Sequence, residues 1–259
     1  MNEETKKFIE KFKKIANKGW IEGKSKSLGN IGLTFEHELG KKADSMFFPD
    51  YYGIEIKCST RFSRYPLSLF SVAFDGPTFP EINRIIQKYG YYDKVFKDKK
   101  VLNTNINCVT KTILNNNYSF KLEIDKKEEK IFLCVYNLNN KLIEKKSFIY
   151  LDTIKTHLFT KFNTLAYVKA SKKVLNNNEY FRYYELSLYK LKTFDTFLEL
   201  LNKGVIDVCL IARIGKSGND IGKYKNKNLL FKIKKENIEK LFNKIYTYNH
   251  DLCDLQIYK

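Results

Sequence analysis

Paired cysteines, clustered histidines, long apolar runs and acidic charge are all scarce in this sequence, and each scarcity removes a class of function. Cys58, Cys108, Cys134, Cys209 and Cys253 are odd in number, far apart and set in apolar runs such as FLCVY and DVCLI. They read as free buried thiols, without the CxxC spacing of a zinc site. His37, His157 and His250 are too scattered to complete such a site, so structural zinc is not expected. No stretch approaches about 18 apolar residues, and the charged, amphipathic start MNEETKKFIEKFKKIA lacks an apolar signal core. The expectation is a cytoplasmic protein without a membrane role. Gly215-Lys216-Ser217 resembles the end of a phosphate-binding loop, but that motif needs a glycine where Leu210 stands. Nucleotide binding there is rejected.

What the chain has in excess is positive charge and aromatic bulk. Lys and Arg total 47 against 29 Asp and Glu, a formal charge of +18 spread from end to end. A polyanion is the simplest partner, bound through phosphate neutralisation and counterion release; a compositional habit rich in Lys and Asn is the bland alternative. Hydrophobic residues make up 43% and aromatics 15% of 259 residues, enough for one large domain or two close-packed lobes.

Spacing predicts an amphipathic helix over 3–17, with Phe8, Ile9, Phe12 and Ile15 on its inner face, and a second over 31–39 with Asn30 as cap and Glu36 beside the apolar stripe. After Pro49, DYYGIEIKCST reads as a turn at Tyr52-Gly53 feeding a strand in which Ile54, Ile56 and Cys58 alternate with Glu55, Lys57 and Ser59. A strand over 67–74 and a helix EINRIIQKY follow. Next comes an antiparallel meander of INCVTKTI, YSFKLEI and KIFLCVYN, then a short helix at LDTIKTHLFTKF. A long hairpin, TLAYVKASKKV with YFRYYELSLYKL, precedes a helix capped by Thr193, a strand VIDVCLIARI and a closing helix over 235–246. The expected class is mixed α/β (α+β), with a mixed sheet flanked by helices and a β-rich lobe. Without repeats or a Pro/Gly/Ser linker, this is one unit over 1–259 with interwoven lobes near 1–105 and 106–259.

Asp50 before the turn, and Glu55 and Lys57 on one strand face, form the constellation that carries chemistry. Mg²⁺ takes hard oxygen ligands, so Asp50 and Glu55 can hold it, with the Ile56 carbonyl as a further donor and Mn²⁺ as a substitute. Such a metal polarises a phosphodiester, lowers the pKa of a bound water and stabilises the leaving oxygen. Lys57 either orients and deprotonates the attacking water or stabilises transition-state charge. A bare D-x4-E-x-K string also arises on solvated strand faces of so charged a chain. Its place on an alternating strand after a Pro-Asp turn, just behind a helix bearing Glu36, raises the catalytic reading.

The run GNIGLTFEHELGKKADSMFFPDYYGIEIKCST resembles the catalytic region of the MvaI/BcnI restriction endonucleases and of the related repair nicking enzyme MutH, within the PD-(D/E)XK superfamily. FEHELG supplies Glu36, PDYYG supplies Asp50, and GIEIK supplies Glu55 and Lys57. Downstream, EYFRYYELSLYKLKTFDTFLELLNKGVIDVCLIARIG is similar to the carboxy-terminal half of the same family. The resemblance implies a restriction-endonuclease-like fold with catalytic and DNA-reading lobes, acting as a monomer on double-stranded DNA. It further implies a type II, Mg²⁺-dependent cut at a short site that leaves 5′-phosphate ends, and a cognate DNA methyltransferase as functional partner. One departure concerns specificity: the family's loop after the downstream strand often carries a histidine used at the DNA, whereas GKSGNDIGKYKNKNLLFKI has none.

Other residues have two readings. Arg61 and Arg64, just past the catalytic strand, either grip phosphates beside the cut or face solvent. Arg182, Arg213, Lys216, Lys223 and Lys225 are DNA contacts or surface charges, with arginine also able to read guanine edges. His37 reads as a surface residue, and the Tyr-rich stretches PDYYG, KYGYYDK and YFRYYE as structural. Two functions compete with the restriction enzyme: a MutH-like nickase that needs a partner, and a basic DNA-binding protein without catalysis. Paired carboxylates weigh against the second, because on a phosphate-binding surface they repel unless a metal lies between them.

Overall fold

The computed structural model describes residues 1–27, 29–40, 48–114 and 116–250. The chain divides into two compact units: Met1–Tyr65 with Phe159–Lys192 and Phe242–Lys259, and Pro66–Leu158 with Thr193–Leu241. The chain crosses between them four times, so contacts divide it elsewhere than at residue 105.

The first unit contains α1 (Glu3–Ala16), β1 (Ile21–Glu22), α2 (Asn30–Glu38), β2 (Ile54–Thr60), β10 (Thr164–Leu175), β11 (Asn178–Leu191) and β14 (Phe242–Asn249). Its sheet runs β1-β11-β10-β2, with β14 continuing beside β11 where β1 stops. Among the described strands of this sheet only β2 and β10 pair in parallel, and β2 lies at the edge. Ile54 and Ile56, Ala166 and Val168, and Phe181 and Tyr183 project from one face onto α1 and α2. Phe35 is fully buried there, 5.0 Å from the Tyr183 ring and within 6.4 Å of Phe8 and Phe12. Locking Phe35 into this cluster sets the rotation of α2 and hence the bearing of the next residue, Glu36.

The second unit carries β3 (Leu67–Val72), α3 (Glu81–Tyr89), β4 (Tyr91–Tyr92), β5 (Lys100–Ile106), β6 (Thr112–Leu114), β7 (Tyr118–Asp125), β8 (Lys130–Asn137), β9 (Leu142–Tyr150), α5 (Phe194–Asn202), β12 (Ile206–Ile214), β13 (Tyr224–Ile233) and the short α6 (Ile238–Leu241). The unit boundary falls within α4 (Leu151–Phe162). Two antiparallel sheets, β3-β13-β12-β5-β4 and β6-β7-β8-β9, build this unit. Phe70, Phe197 and Phe231 pack together on the first, and Tyr89 meets Tyr118 and Phe120 on the second.

The mixed class, the long hairpin and the Thr193 cap stand as predicted; the Thr193 hydroxyl accepts from Thr196 N at 3.2 Å. Several local expectations need correction. The closing helix shrinks to α6, and 242–249 form β14, because the free edge of β11 offers a full ladder to a segment of alternating burial. INCVTKTI is broken after Ile106 by a turn in which Asn107 Oδ1 accepts from Val109 N and Thr110 N, both at 2.8 Å. The polar run 216–228 becomes strand β13 from Tyr224 onward. Gly29, not Asn30, caps α2; the buried Asn30 side chain instead accepts from Ser25 N at 2.9 Å and donates to Glu179 at 2.8 Å. Cys58, Cys108, Cys134 and Cys209 are free thiols, while Cys253 lies outside the described residues. Of the tyrosines assigned to structure, Tyr52 and Tyr92 are exposed.

Candidate active site

Tyr51, Tyr52, Gly53 and Ile54 make a two-residue hairpin turn. Tyr51 N donates to Ile54 O at 3.0 Å and Ile54 N to Tyr51 O at 2.8 Å. Both central residues have positive φ, +40° at Tyr52 and +83° at Gly53, the handedness of a type I′ turn. The turn folds Asp50 back beside β2, where its Oδ2 accepts from Ile56 N at 2.9 Å. Because N–H and C=O of one strand residue point the same way, the Ile56 carbonyl shares that open edge with Asp50. The predicted trio is thus brought together by a turn legible in the sequence.

Glu55 is only 1% exposed. Its Oε1 pairs with Lys57 Nζ and lies 3.4 Å from Lys161 Nζ. Its Oε2 is buried with no hydrogen-bond partner. Burial lifts the Glu55 pKa above its ordinary value, against the Lys57 charge and with help from that of Asp50. A buried carboxylate oxygen without a partner is costly unless something else takes its lone pairs. Hard oxygen donors of this kind would suit a divalent cation, which Glu55 Oε2, Asp50 and the Ile56 carbonyl would hold. Among the described residues no group of three or more His, Cys, Asp or Glu is placed to hold a metal ion, so the candidate donors are two carboxylates and a backbone carbonyl.

Glu36, half-buried on α2, adds negative charge behind the strand. Burial pushes the Cys58 thiol well above its ordinary value, and the charges of Glu36 and Asp50 add to this while Lys57 opposes. Cys58 is therefore a neutral thiol and no rival nucleophile. Lys161, in the last turn of α4, was missed in the sequence: nothing local marks it among 47 basic residues, and only the fold brings it to Glu55.

The predicted DNA contacts divide between the units. Arg61 and Arg64 are exposed beyond β2, and Arg182 lies half-buried on β11 in register with Ser171. Arg213, Lys216, Lys223 and Lys225 are exposed on and between β12 and β13 of the second unit. Arg213 donates to Asn103 at 3.2 Å, and Lys216 and Lys225 face Asp93 and Asp220 at 3.6 and 3.0 Å. Such exposed pairs are weak and exchangeable. His37 is exposed on α2, as expected of a surface residue.

No match was found among curated proteins. Among solved structures, a "Restriction endonuclease MvaI-cognate DNA substrate complex" is 25% identical over 96% of this chain and 99% of that one, with a TM-score of 0.87. "Restriction endonuclease MvaI in the absence of DNA" is 23% identical over 95% and 98%, with a TM-score of 0.59, and speaks for the fold alone. The family model described as "MvaI/BcnI restriction endonuclease family" matches residues 9–242. That span takes in the Asp50 turn, β2, Lys161 and both downstream hairpins, and the chain belongs to the MvaI/BcnI restriction endonuclease family.

Proposed function

We propose that this chain is a type II restriction endonuclease that cuts double-stranded DNA at a short site with Mg²⁺, or Mn²⁺ in its place, leaving 5′-phosphate ends. The observation that carries the reading is the buried Glu55, with one oxygen engaged by two lysines and the other left open beside Asp50 and the Ile56 carbonyl. The bound ion would supply charge neutralisation at the phosphate and a water more acidic than bulk water. Lys57, tied to Glu55 on the same strand face, orients that water or meets developing negative charge. Asp50 is held by Ile56 N, so its second oxygen is directed without further ordering cost. Glu36 supports this arrangement from α2.

In this reading the first unit cuts, while the β12–β13 hairpin of the second brings Arg213, Lys216, Lys223 and Lys225 to the DNA, and Arg61, Arg64 and Arg182 hold it in the first. The protein works as a cytoplasmic monomer whose host DNA is protected by a cognate methyltransferase. A net charge of +18 supports the phosphate-driven part of the affinity.

The test is digestion of unmethylated phage DNA with Mg²⁺, comparing the wild type with Asp50→Ala and Lys57→Ala and sequencing the fragment ends. Discrete fragments sharing an end sequence, lost in both variants, support the reading. Binding without cutting on several unmethylated DNAs, with Mg²⁺ or Mn²⁺, sinks autonomous cleavage and leaves a partner-dependent nickase or a plain binding protein.

A further inference from the structure

Among the described aromatic side chains of the first unit, all the exposed ones except Phe159 flank β2 in sequence. Phe48 and Tyr52 precede it, 65% and 75% exposed, and Phe62 and Tyr65 follow it, 86% and 82% exposed. The later pair alternates with cations in RFSRY, and the Arg61 guanidinium lies 5.6 Å from the Phe62 ring centroid. The loop is rooted in the sheet, with Arg61 N donating to Ala170 O at 3.2 Å and Ser63 N to Thr60 O at 3.2 Å. Beside it runs a groove of about 700 Å³. Phe62 and Tyr65 form part of its wall, Ser59, Thr60 and Ser63 add hydroxyls, and Lys26 and Lys172 add positive charge. Glu179 is the carboxylate in its lining, and Lys172 already pairs with it. Together with the neighbouring Arg61 and Arg64, four cations face one carboxylate.

Cations along a backbone track, with aromatic rings left in water beside them, are what a nucleic-acid strand requires: phosphates need charge, and every base offers a face to stack. A groove for an apolar peptide would not need this charge, and a pure phosphate site would not need the rings. We propose that this groove holds one strand of the DNA beside the cut, with its phosphates against Lys26, Arg61, Arg64 and Lys172 and a base against Phe62 and Tyr65. The inference rests on the DNA-cutting reading above and extends it to a specific strand-holding subsite. Thr60 lies about 10 Å along β2 from Lys57 at roughly 3.3 Å per residue, which is about three steps of 3.4 Å along a DNA strand. The stacked base therefore falls about two to four nucleotides from the scissile phosphate.

Substituting Phe62→Trp places an indole at the proposed contact, read against the emission of Trp20, the single native tryptophan. The probe is a duplex bearing the site recovered from the phage digest, or a random-sequence duplex at low salt if none emerges. Calcium replaces magnesium, and binding is followed independently by anisotropy. The expected result is quenching of the added indole on binding. With the cleavable site, 2-aminopurine brightens two to four nucleotides from the cut with wild type and stays dark with Phe62→Ala. Phe62→Ala and Tyr65→Ala should each raise KM roughly five-fold, the lower end of what one stacked base contributes, with kcat changed less than about three-fold, and Phe62→Trp should restore KM. Bound duplex with unchanged indole emission, or an unchanged KM in both alanine variants, overturns the subsite while leaving the nuclease reading intact. Absence of any duplex binding removes both.

Discussion

Each unit buries a glutamate to 1% exposure, and the two are treated in opposite ways. Glu81 in the second unit is saturated: Thr78 donates to it, Arg84 Nε and Nη2 reach its Oε1 at 2.8 and 2.5 Å, and Ser147 Oγ donates at 2.6 Å. Burial would raise its pKa, but the bonds from Arg84, Ser147 and Thr78 prevail and hold it below the ordinary value. Glu55 in the first unit is under-supplied, with one oxygen shared by two lysines, the other open, and its pKa raised, chiefly by burial. The same residue type at the same depth is thus a structural brace in one place and, in the function we propose, a metal ligand in the other. The difference lies in how many donors the surrounding strands and helices deliver.

The sharpest way to break this comparison is a matched pair of amides. Glu55→Gln should cut DNA at least about a thousand-fold more slowly while moving unfolding stability by less than about 1 kcal/mol, because the fold already disfavours its charge. Glu81→Gln should do the reverse, costing about 3 kcal/mol in chemical denaturation with cleavage per folded molecule nearly unchanged. If both variants lose only activity, or both lose only stability, the two glutamates are not different in kind.

A second measurement follows stability against pH. Burial pushes the Glu144 pKa up, but hydrogen bonds from Arg84, Lys88 and Tyr89 outweigh it and set it at about 2. A carboxyl whose folded value lies below its unfolded one stabilises the fold above the unfolded value of about 4.3, and that contribution drains away as pH falls toward 2. Acid titration of the wild type should therefore show a steep loss of stability between about pH 5 and pH 2. Arg84→Met should flatten that loss and cost about 3 kcal/mol at neutral pH, by leaving Glu81 and Glu144 short of their shared cation. A wild-type profile level down to pH 2 would contradict it.

Smaller effects sharpen the Glu55 side. Lys161→Met should slow cleavage about ten-fold, with Lys161→Arg recovering much of it, since a second cation on Oε1 helps turn Oε2 toward the open edge. Equal loss in both variants would instead mark Lys161 as packing. Gly53→Ala, at φ +83°, should cost about 1 kcal/mol of stability by forcing a Cβ into left-handed backbone. It should also slow cleavage modestly by shifting Asp50, and unchanged kinetics would show that the turn does not set Asp50.

Most of the central site was legible because its determinants are local. The alternation of Ile54, Ile56 and Cys58 with Glu55 and Lys57 places two charges on one face, and Tyr52-Gly53 specifies the turn that returns Asp50 to Ile56 N. These follow from strand period and left-handed backbone preference, within a stretch of eight residues from Asp50 to Lys57. Glu36 was reachable through helical spacing and family resemblance together. Charge and patterning likewise suffice for the mixed α/β class and a polyanionic partner.

Only tertiary structure decided the rest. Lys161 meets Glu55 because β10, which directly follows α4, pairs in parallel with β2 more than a hundred residues after it in sequence. β14 is a strand because β11 has an unfilled edge, a requirement set by 178–191 and invisible within 242–249 itself. Whether a buried glutamate is saturated or left open depends on donors from distant segments, Ser147 for Glu81 and Lys161 for Glu55. Local sequence sets backbone preference and side-chain facing, whereas the partners of a buried charge are chosen by the packing of the whole unit.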